Sequence, residues 1–276
     1  MTTPELEQVA RQSGPWVERG ARFGAISRGV IYLVVGALAL RAALGSRGEA
    51  VGPGGVFDTI MRQPLGRPLL ALLAIGLAGY AVWDLVRAAV DANRGSTTIV
   101  QVLQRIGWAI GGFLSGALAV TAFRAVLDLG RAGTDEQQAK GWAATILTAP
   151  FGAWILTLTG LVIVAVGLTF FWKGWHADLD ADLRASALRP AARRWILRFG
   201  RFGMLARGTV LTLIGGFLIL AVIHLDPREA HGVAGALTAL ARQPYGRWPL
   251  GAVAAGFMSY GLYEMMRARY SRFTVF

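Results

Sequence analysis

The sequence contains no cysteine, only three histidines and few charged residues. Without cysteine the chain can form no disulfide, no thiolate metal site and no cysteine nucleophile. Charged residues make up 16% of the chain and hydrophobic residues 54%, whereas soluble globular domains carry about 25% charged residues. The shortage of charge therefore indicates a membrane protein rather than a soluble domain.

Acidic residues are scarcer than basic ones, 16 against 28, which gives a formal net charge of +12. Such a balance is also found in nucleic-acid-binding proteins, but those cluster their cations on one face of a soluble module. Here the cations stand at the ends of apolar runs, where long side chains can reach lipid headgroups. We therefore expect membrane lipids as partners and no nucleic acid.

Six long apolar runs predict an all-α integral membrane protein with six transmembrane helices. The runs cover residues 29–40, 69–83, 106–123, 141–172, 208–223 and 248–263. A bilayer core of about 30 Å needs roughly 20 helical residues, which most runs reach with their flanking arginines. The first run follows a mixed-charge segment and no small-residue cleavage site follows it, so we do not expect a signal peptide.

The cations are distributed unequally between the two sides of the predicted membrane. Of the 28 lysines and arginines, 18 fall on the side that holds both termini and 10 on the opposite side. Loops rich in lysine and arginine stay in the cytoplasm. The sequence thus predicts that both termini are cytoplasmic.

One unit of about 70 residues occurs three times. "RFGAISRG" at 22–29 returns as "RFGMLARG" at 201–208, and Arg105 and Gly107 mark a weaker middle copy. A second signature follows each first helix: "QPLGR" at 63–67, "APFGA" at 149–153 and "QPYGR" at 243–247. We assign a cytoplasmic segment to 1–20, repeats to 21–92, 104–175 and 200–273, and a linker to 176–199.

A short amphipathic stretch separates the two helices of each repeat, and we predict a helix at the membrane interface there. Its apolar positions are Val56, Phe57, Ile60 and Met61 in repeat 1, Ala144, Ile146 and Leu147 in repeat 2, and Val233, Ala236, Leu237 and Leu240 in repeat 3. These stretches are either plain connectors or lids over a central cavity.

The linker is the longest polar insertion. It places Leu188, Ala191, Trp195 and Phe199 on one helical face, with Arg189, Arg193, Arg194 and Arg198 around them. This pattern is typical of a basic helix lying on an anionic leaflet, and a helix that docks a membrane-protein partner is the alternative. Together with Arg22, Arg105 and Arg201, which begin the three repeats, residues Arg193, Arg194, Trp195 and Arg198 are our candidates for headgroup contacts.

Ionisable residues inside predicted spans are candidates for function. Asp84 and Glu264 each lie twenty residues after the repeat proline, where repeat 2 has Phe170. Arg28 and Arg207 each lie six residues after the first arginine, where repeat 2 has Gly111. Because repeat 2 lacks both members, we predict the intramembrane pairs Arg28–Asp84 and Arg207–Glu264, with Arg87 and Arg267 on the same helices as alternative partners. We favour structural pairs over proton carriers.

Other motifs give weaker evidence of a functional site. "HADLDAD" at 176–182 lacks the glycine and distal glutamate of a calcium loop, and His224 and His231 fit ordinary loop polarity better than a metal site. Glycine pairs inside the spans, at 76 and 79, 111 and 112, and 215 and 216, indicate close helix packing. We find no catalytic set and expect no enzyme, no cofactor and no metal.

The first-helix phrase with "QPLGR" and "GLAGYAVWDLVRA" resembles the repeat of a bacterial membrane family known as domain of unknown function 1206. The resemblance covers nearly all of residues 22–273 and is weakest in repeat 2. It implies an inner-membrane protein with three tandem two-helix repeats, and it implies no activity.

These observations favour a scaffold, accessory or lipid-binding protein of the bacterial inner membrane, with repeats arranged around a pseudo-threefold axis. The alternative is a small-solute or ion transporter or channel whose pathway lies between the three repeats. Such a pathway would need polar side chains to converge on the axis, and the candidates are Ser115, Thr121, Thr157, Thr159 and Thr212.

Overall fold

The computed structural model describes residues 3–45, 52–92, 99–128, 135–176 and 190–270, and these residues form nine α-helices and one short 3-10 turn. The helices are α1 (Thr3–Ala43), α2 (Pro53–Met61), α3 (Gly66–Ala92), α4 (Ile99–Val126), α5 (Asp135–Leu147), α6 (Gly152–His176), α7 (Pro190–Ile223), α8 (Val233–Ala241) and α9 (Arg247–Tyr270). Each repeat therefore contributes a long helix, a short helix and a second long helix.

Five helices in the described residues are long and apolar enough to cross a membrane. The candidate spans are Arg22–Ala43, Gly66–Ala89, Arg105–Val126, Gly152–His176 and Arg193–Ile223. The sixth long helix, α9, has 24 residues but carries four charged groups besides several small and hydroxyl residues, which lower its hydropathy. The protein is thus an all-α protein with several membrane-type helices.

Two helices extend further than the sequence suggested. Residues 1–20 were assigned to a separate N-terminal segment, but α1 runs without a break from Thr3 into the first span. The basic segment that we predicted to lie on the leaflet is, from Pro190 onwards, the first part of α7. Residues 177–189, with most of the linker and of the "HADLDAD" motif, lie outside the described residues.

The most extensive helix contacts join neighbouring repeats. The second long helix of one repeat packs antiparallel against the first long helix of the next: α3 with α4, α6 with α7, and α9 with α1. Within repeats 1 and 3, α1 also packs against α3 and α7 against α9. In the described residues α4 and α6 of repeat 2 do not form such a contact, so the helix order is α4, α3, α1, α9, α7, α6.

Small residues at equivalent positions allow these three contacts between repeats. A Cβ added to Gly29 would lie 2.8 Å from the carbonyl oxygen of Gly261, and the matching distances are 2.9 Å from Gly208 to Gly167 and 3.1 Å from Gly112 to Ala81. Seven residues further along the first helix, a Cβ on Gly36 or Gly215 would lie 2.7 Å from a carbonyl oxygen of the facing helix. Seven residues are two helical turns, so both positions face the same neighbour.

The repeated Pro-x-Gly signature forms the same turn three times. Leu65, Phe151 and Tyr245, which follow the prolines, have φ values of 66°, 62° and 61°, and the next glycine donates its N–H back across the turn. A Cβ on that glycine would collide with the carbonyl oxygen of Ile60, Ile146 or Ala241. The turn therefore requires glycine, and it places a large exposed apolar side chain at the same point of each repeat.

The short helices pack on one end of the bundle, which we call the hairpin end. The opposite end, where α1 enters the bundle and α9 ends, is called the terminal end. Val56, Phe57 and Ile60 of α2 and Leu237 of α8 are buried in the main apolar cluster, which also contains residues of α1, α3, α4, α7 and α9. The predicted amphipathic stretches of repeats 1 and 3 thus bury their apolar faces.

Candidate functional site

Charged side chains from repeats 1 and 3 meet inside the bundle, in the half nearer the terminal end. Nη1 of Arg28 on α1 lies 3.6 Å from Oδ2 of Asp84 on α3, and both side chains are less than a tenth exposed. The Arg28 guanidinium also lies over the ring of Tyr80, 4.3 Å from its centre. Arg28 and Asp84, which the sequence predicted to pair, are therefore in contact between the two helices of repeat 1.

Repeat 3 has a different arrangement from the direct pair that we predicted. Arg207 on α7 donates a hydrogen bond to the hydroxyl of Tyr260, which in turn donates to Oε1 of Glu264 at 2.7 Å. Arg267 lies one turn along α9, with Nη1 3.7 Å from the same oxygen. The prediction of a direct Arg207–Glu264 pair is corrected to a bridge through Tyr260. The physical reason is that the tyrosine, one turn before the acid, fills the space between the two groups.

Tyr260 and Tyr80 are residues that the charge pattern alone did not reveal. Both lie sixteen residues after the repeat proline, where repeat 2 has Val166. The repeat alignment contains this signal, because tyrosine, acid and arginine are lost together in repeat 2. Tyr32 completes the set, since its ring packs edge-on against Tyr260 with centres 4.8 Å apart and lies 5.7 Å from the Arg207 guanidinium. We call these eight residues the charge cluster: Arg28, Tyr32, Tyr80, Asp84, Arg207, Tyr260, Glu264 and Arg267.

At the two positions where repeat 2 lacks a charged residue, Gly111 and Phe170, it contacts charged side chains of repeats 1 and 3. A Cβ on Gly111 would lie 3.0 Å from Oδ2 of Asp84, so the glycine lets the acid of repeat 1 approach α4. Phe170 lies beneath Arg207, with 4.5 Å between the guanidinium carbon and the ring centre. The charge cluster thus ends at Gly111 on one side and at Phe170 on the other.

Repeat 2 also lacks the close crossing between its own two helices. A Cβ on Gly24 would lie 2.5 Å from the Cβ of Tyr80, and one on Gly203 would lie 2.6 Å from that of Tyr260. The equivalent Gly107 has nothing described within 4 Å of such a Cβ. On α6, Val162 replaces the glycine that repeats 1 and 3 have at the crossing, and a β-branched side chain keeps the backbones apart.

One oxygen of the charge cluster remains without a hydrogen bond. Glu264 is 1% exposed, and among the described residues its Oε2 has no hydrogen-bond partner, although Oε1 accepts from Tyr260. Buried carboxylate oxygens usually have partners, because an unmade hydrogen bond to a charged group costs several kcal/mol. Oε2 of Glu264 is therefore an atom that could hold a water molecule or a proton.

The predicted headgroup residues lie around the terminal end. Arg194, Arg198 and Arg201 are exposed, and Trp195 is 56% exposed. Arg22, Arg105 and Arg193 are half-buried. We call these seven residues the basic collar.

Four of the five hydroxyl groups proposed to line a pathway are hydrogen-bonded within their own helices. Thr121, Thr157, Thr159 and Thr212 each donate to the carbonyl oxygen four residues earlier on their own helix. Thr159 is exposed on the outer face of α6. These threonines satisfy their own hydroxyls, as is usual for threonine in apolar helices.

At the hairpin end a carboxylate connects repeats 2 and 3. Glu136 on α5 contacts His231 through Oε1 and accepts the N–H of Gly232, the residue before α8, through Oε2 at 3.1 Å. Burial acts to raise the pKa of Glu136, but the hydrogen bonds from His231, Gly232 and Lys140 outweigh it and hold the pKa below its ordinary value. His224 instead contacts Glu229, so the two histidines bind different acids.

The repeat structure is also seen in comparisons with known proteins. The family model described as "Domain of Unknown Function (DUF1206)" matches three times, at residues 23–91, 106–177 and 202–271. A protein of Bacillus subtilis (strain 168), named "Uncharacterized protein YxxB", is 32% identical over 269 residues, which are 98% of this chain and 96% of the relative. No solved structure matches the chain.

Proposed function

The chain belongs to the DUF1206 family. We propose that it is a non-catalytic scaffold of the bacterial cytoplasmic membrane that binds anionic lipid. The observation that supports this most is the main apolar cluster, which joins α1, α3, α4, α7 and α9 with the short helices α2 and α8. Side chains that interlock in this way favour a packed bundle over a wet pathway between the repeats.

We further propose that α9 is a sixth span and that the repeats surround a pseudo-threefold axis. A helix of 24 residues is about 36 Å long, enough to cross a bilayer core. The contact of α9 with α1 repeats, at equivalent positions, the contacts of α3 with α4 and of α6 with α7. Three equivalent contacts, each joining one repeat to the next, are what a threefold arrangement of the repeats predicts. Both termini then lie in the cytoplasm, on the side richer in arginine.

Cysteine labelling tests this topology, because the chain has no cysteine of its own. Tyr245→Cys and Arg269→Cys lie near the two ends of α9, and both native side chains are exposed. We expect an impermeant maleimide applied to intact cells to label position 245 and to label position 269 only after lysis. Equal labelling of both positions in intact cells would contradict a sixth span.

The basic collar supports the lipid-binding part of the proposal. Arginine at the membrane surface attracts anionic leaflets, with about 1 kcal/mol per residue. We expect the purified protein to retain phosphatidylglycerol in native mass spectrometry and to melt at a higher temperature in phosphatidylglycerol nanodiscs than in phosphatidylcholine nanodiscs. Equal retention and equal melting temperatures for the two lipids would refute lipid selectivity.

An ion or small-solute pathway is the second candidate, and the unpartnered Oε2 of Glu264 is the observation that favours it. A proton pathway through the charge cluster would acidify pyranine-loaded proteoliposomes under an imposed gradient, and Glu264→Gln would abolish the flux. The scaffold proposal expects no flux above that of empty liposomes for either form of the protein.

A further inference from the structure

A groove opens at the terminal end, between the first turns of α7 and the last turns of α9. It has a volume of about 430 Å³, within the range of roughly 300–1,000 Å³ that is typical of ligand sites. Its lining is mostly apolar and includes Trp195, Met265 and Met266, and Arg269 lies beside Tyr270 at the end of α9. Methionine side chains adapt their shape readily, which suits a flexible ligand.

Two arginines lie at aromatic side chains of this groove. The guanidinium of Arg198 is 5.4 Å from the ring centre of Trp195, and that of Arg269 is 5.9 Å from the ring centre of Tyr270. Both arginines are exposed. An exposed cation on a ring face gains only about 0.5–1 kcal/mol and keeps its N–H groups available, and guanidinium N–H groups match the oxygens of a phosphate.

The position of the groove favours a lipid over a soluble anion. Trp195 lies inside the candidate span that begins at Arg193, and more than half of its side chain is exposed. Tryptophan at such a depth is typical of the boundary between headgroups and acyl chains. The groove therefore lies near the boundary between headgroups and acyl chains, where one lipid can contact both its apolar lining and the arginines beside it.

We propose that this groove binds one anionic phospholipid, with the phosphate held by Arg198 and Arg269 and an acyl chain packed against Met265 and Met266. The proposal rests on the lipid-binding function above and assigns that function a specific site. Phosphatidylglycerol fits because its headgroup carries no cation. Phosphatidylcholine adds a quaternary ammonium group close to two arginines, and like charges repel.

Native mass spectrometry of the full-length protein in detergent, titrated with each of these two lipids, tests the site. We expect the first phosphatidylglycerol to bind the native protein more tightly than phosphatidylcholine. The double variant Arg198→Gln/Arg269→Gln should weaken the first phosphatidylglycerol by about tenfold or more, because two charge-assisted contacts are lost. The matched comparison Arg194→Gln/Arg201→Gln removes two exposed cations of the basic collar for which no contact with the rings of Trp195 or Tyr270 is described, and it should weaken the first phosphatidylglycerol clearly less than Arg198→Gln/Arg269→Gln does.

A second variant tests the acyl chain independently of charge. Met266→Trp should fill part of the groove and weaken the first phosphatidylglycerol while both arginines remain. If Arg198→Gln/Arg269→Gln and Arg194→Gln/Arg201→Gln lose equal affinity for phosphatidylglycerol, the groove site is overturned, but lipid binding by the basic collar is not. Unchanged affinity in both the double variant and Met266→Trp would also overturn the site. No preference of the native protein for phosphatidylglycerol would overturn the proposed function itself.

Discussion

Gly29 on α1 and Gly261 on α9 bring the first and the last repeat into backbone contact. A Cβ on Gly29 would lie 2.8 Å from the carbonyl oxygen of Gly261, and a Cβ on Gly261 would lie 2.6 Å from that of Gly29. The two residues are 232 positions apart in the sequence, so this contact joins the beginning of the chain to its end. The bundle therefore depends on the absence of side chains at a few positions as well as on the apolar ones present.

Substitution of two adjacent glycines on α7 tests this dependence. Gly215→Ala should destabilise the protein by roughly 1–3 kcal/mol, because its Cβ would lie 2.7 Å from the carbonyl oxygen of Gly160. Gly216 has nothing described within 4 Å, so Gly216→Ala should stabilise the helix by about 0.5–1 kcal/mol. Thermal melts in detergent compare the two variants, and equal melting temperatures would contradict the packing.

The pair between Arg28 and Asp84 predicts a rescue. Asp84→Asn leaves the buried guanidinium without its carboxylate and should destabilise the protein by about 3–5 kcal/mol. Adding Arg28→Met removes that orphaned charge and should restore much of the loss. A double-mutant cycle of melting temperatures measures the coupling, and additive losses would mean that the two side chains do not depend on each other.

The hydrogen-bonded bridge in repeat 3 predicts that the hydroxyl of Tyr260 contributes more to stability than the hydroxyl of Tyr80. Tyr260→Phe breaks the link from Arg207 to Glu264 and should destabilise the protein by about 1–3 kcal/mol. Tyr80 is the matched control, because it contacts Arg28 through its ring, which phenylalanine keeps. We expect Tyr80→Phe to change the melting temperature much less, and the reverse order would refute the bridge.

The contact of Glu136 with α8 predicts a pH dependence. Because the folded pKa is lowered, the ionised carboxylate stabilises the hairpin end at neutral pH, and this contribution is lost as the pH falls through the folded pKa. Glu136→Gln should therefore increase amide hydrogen exchange in α8 at pH 7. The difference from the native protein should shrink towards about pH 4, the ordinary range for glutamate. A difference that stays constant with pH would contradict this role of the charge.

The alignment of the three repeats also predicted which positions belong together, because equivalent residues recur at fixed offsets from the proline and the first arginine. It predicted the direct pairs Arg28–Asp84 and Arg207–Glu264, and of these the structure contains the first. It did not predict the order of groups in repeat 3, where Tyr260 stands between the arginine and the acid. Two side chains predicted to lie at the same depth in the membrane can contact each other directly or through a third side chain.

The glycine pair on α7 shows a similar difference between prediction and structure. The sequence predicted close packing at both Gly215 and Gly216, but only Gly215 faces α6, and Gly216 has open space around it. Helical periodicity assigns residues to faces, but it does not say which face meets a neighbour. In an apolar helix every face resembles the next, since lipid and protein are equally favourable surroundings.

By itself the sequence determined an all-α membrane protein built from three tandem units, because helix length, apolar content and the positions of arginine, proline and glycine are local properties of the chain. Only the tertiary structure decided that α9 packs on α1 and that α4 and α6 of the middle repeat stay apart. It also decided that a tyrosine connects Arg207 to Glu264. Those outcomes depend on which backbones can approach within a few ångströms, and that is settled by the shapes of facing side chains far apart in sequence.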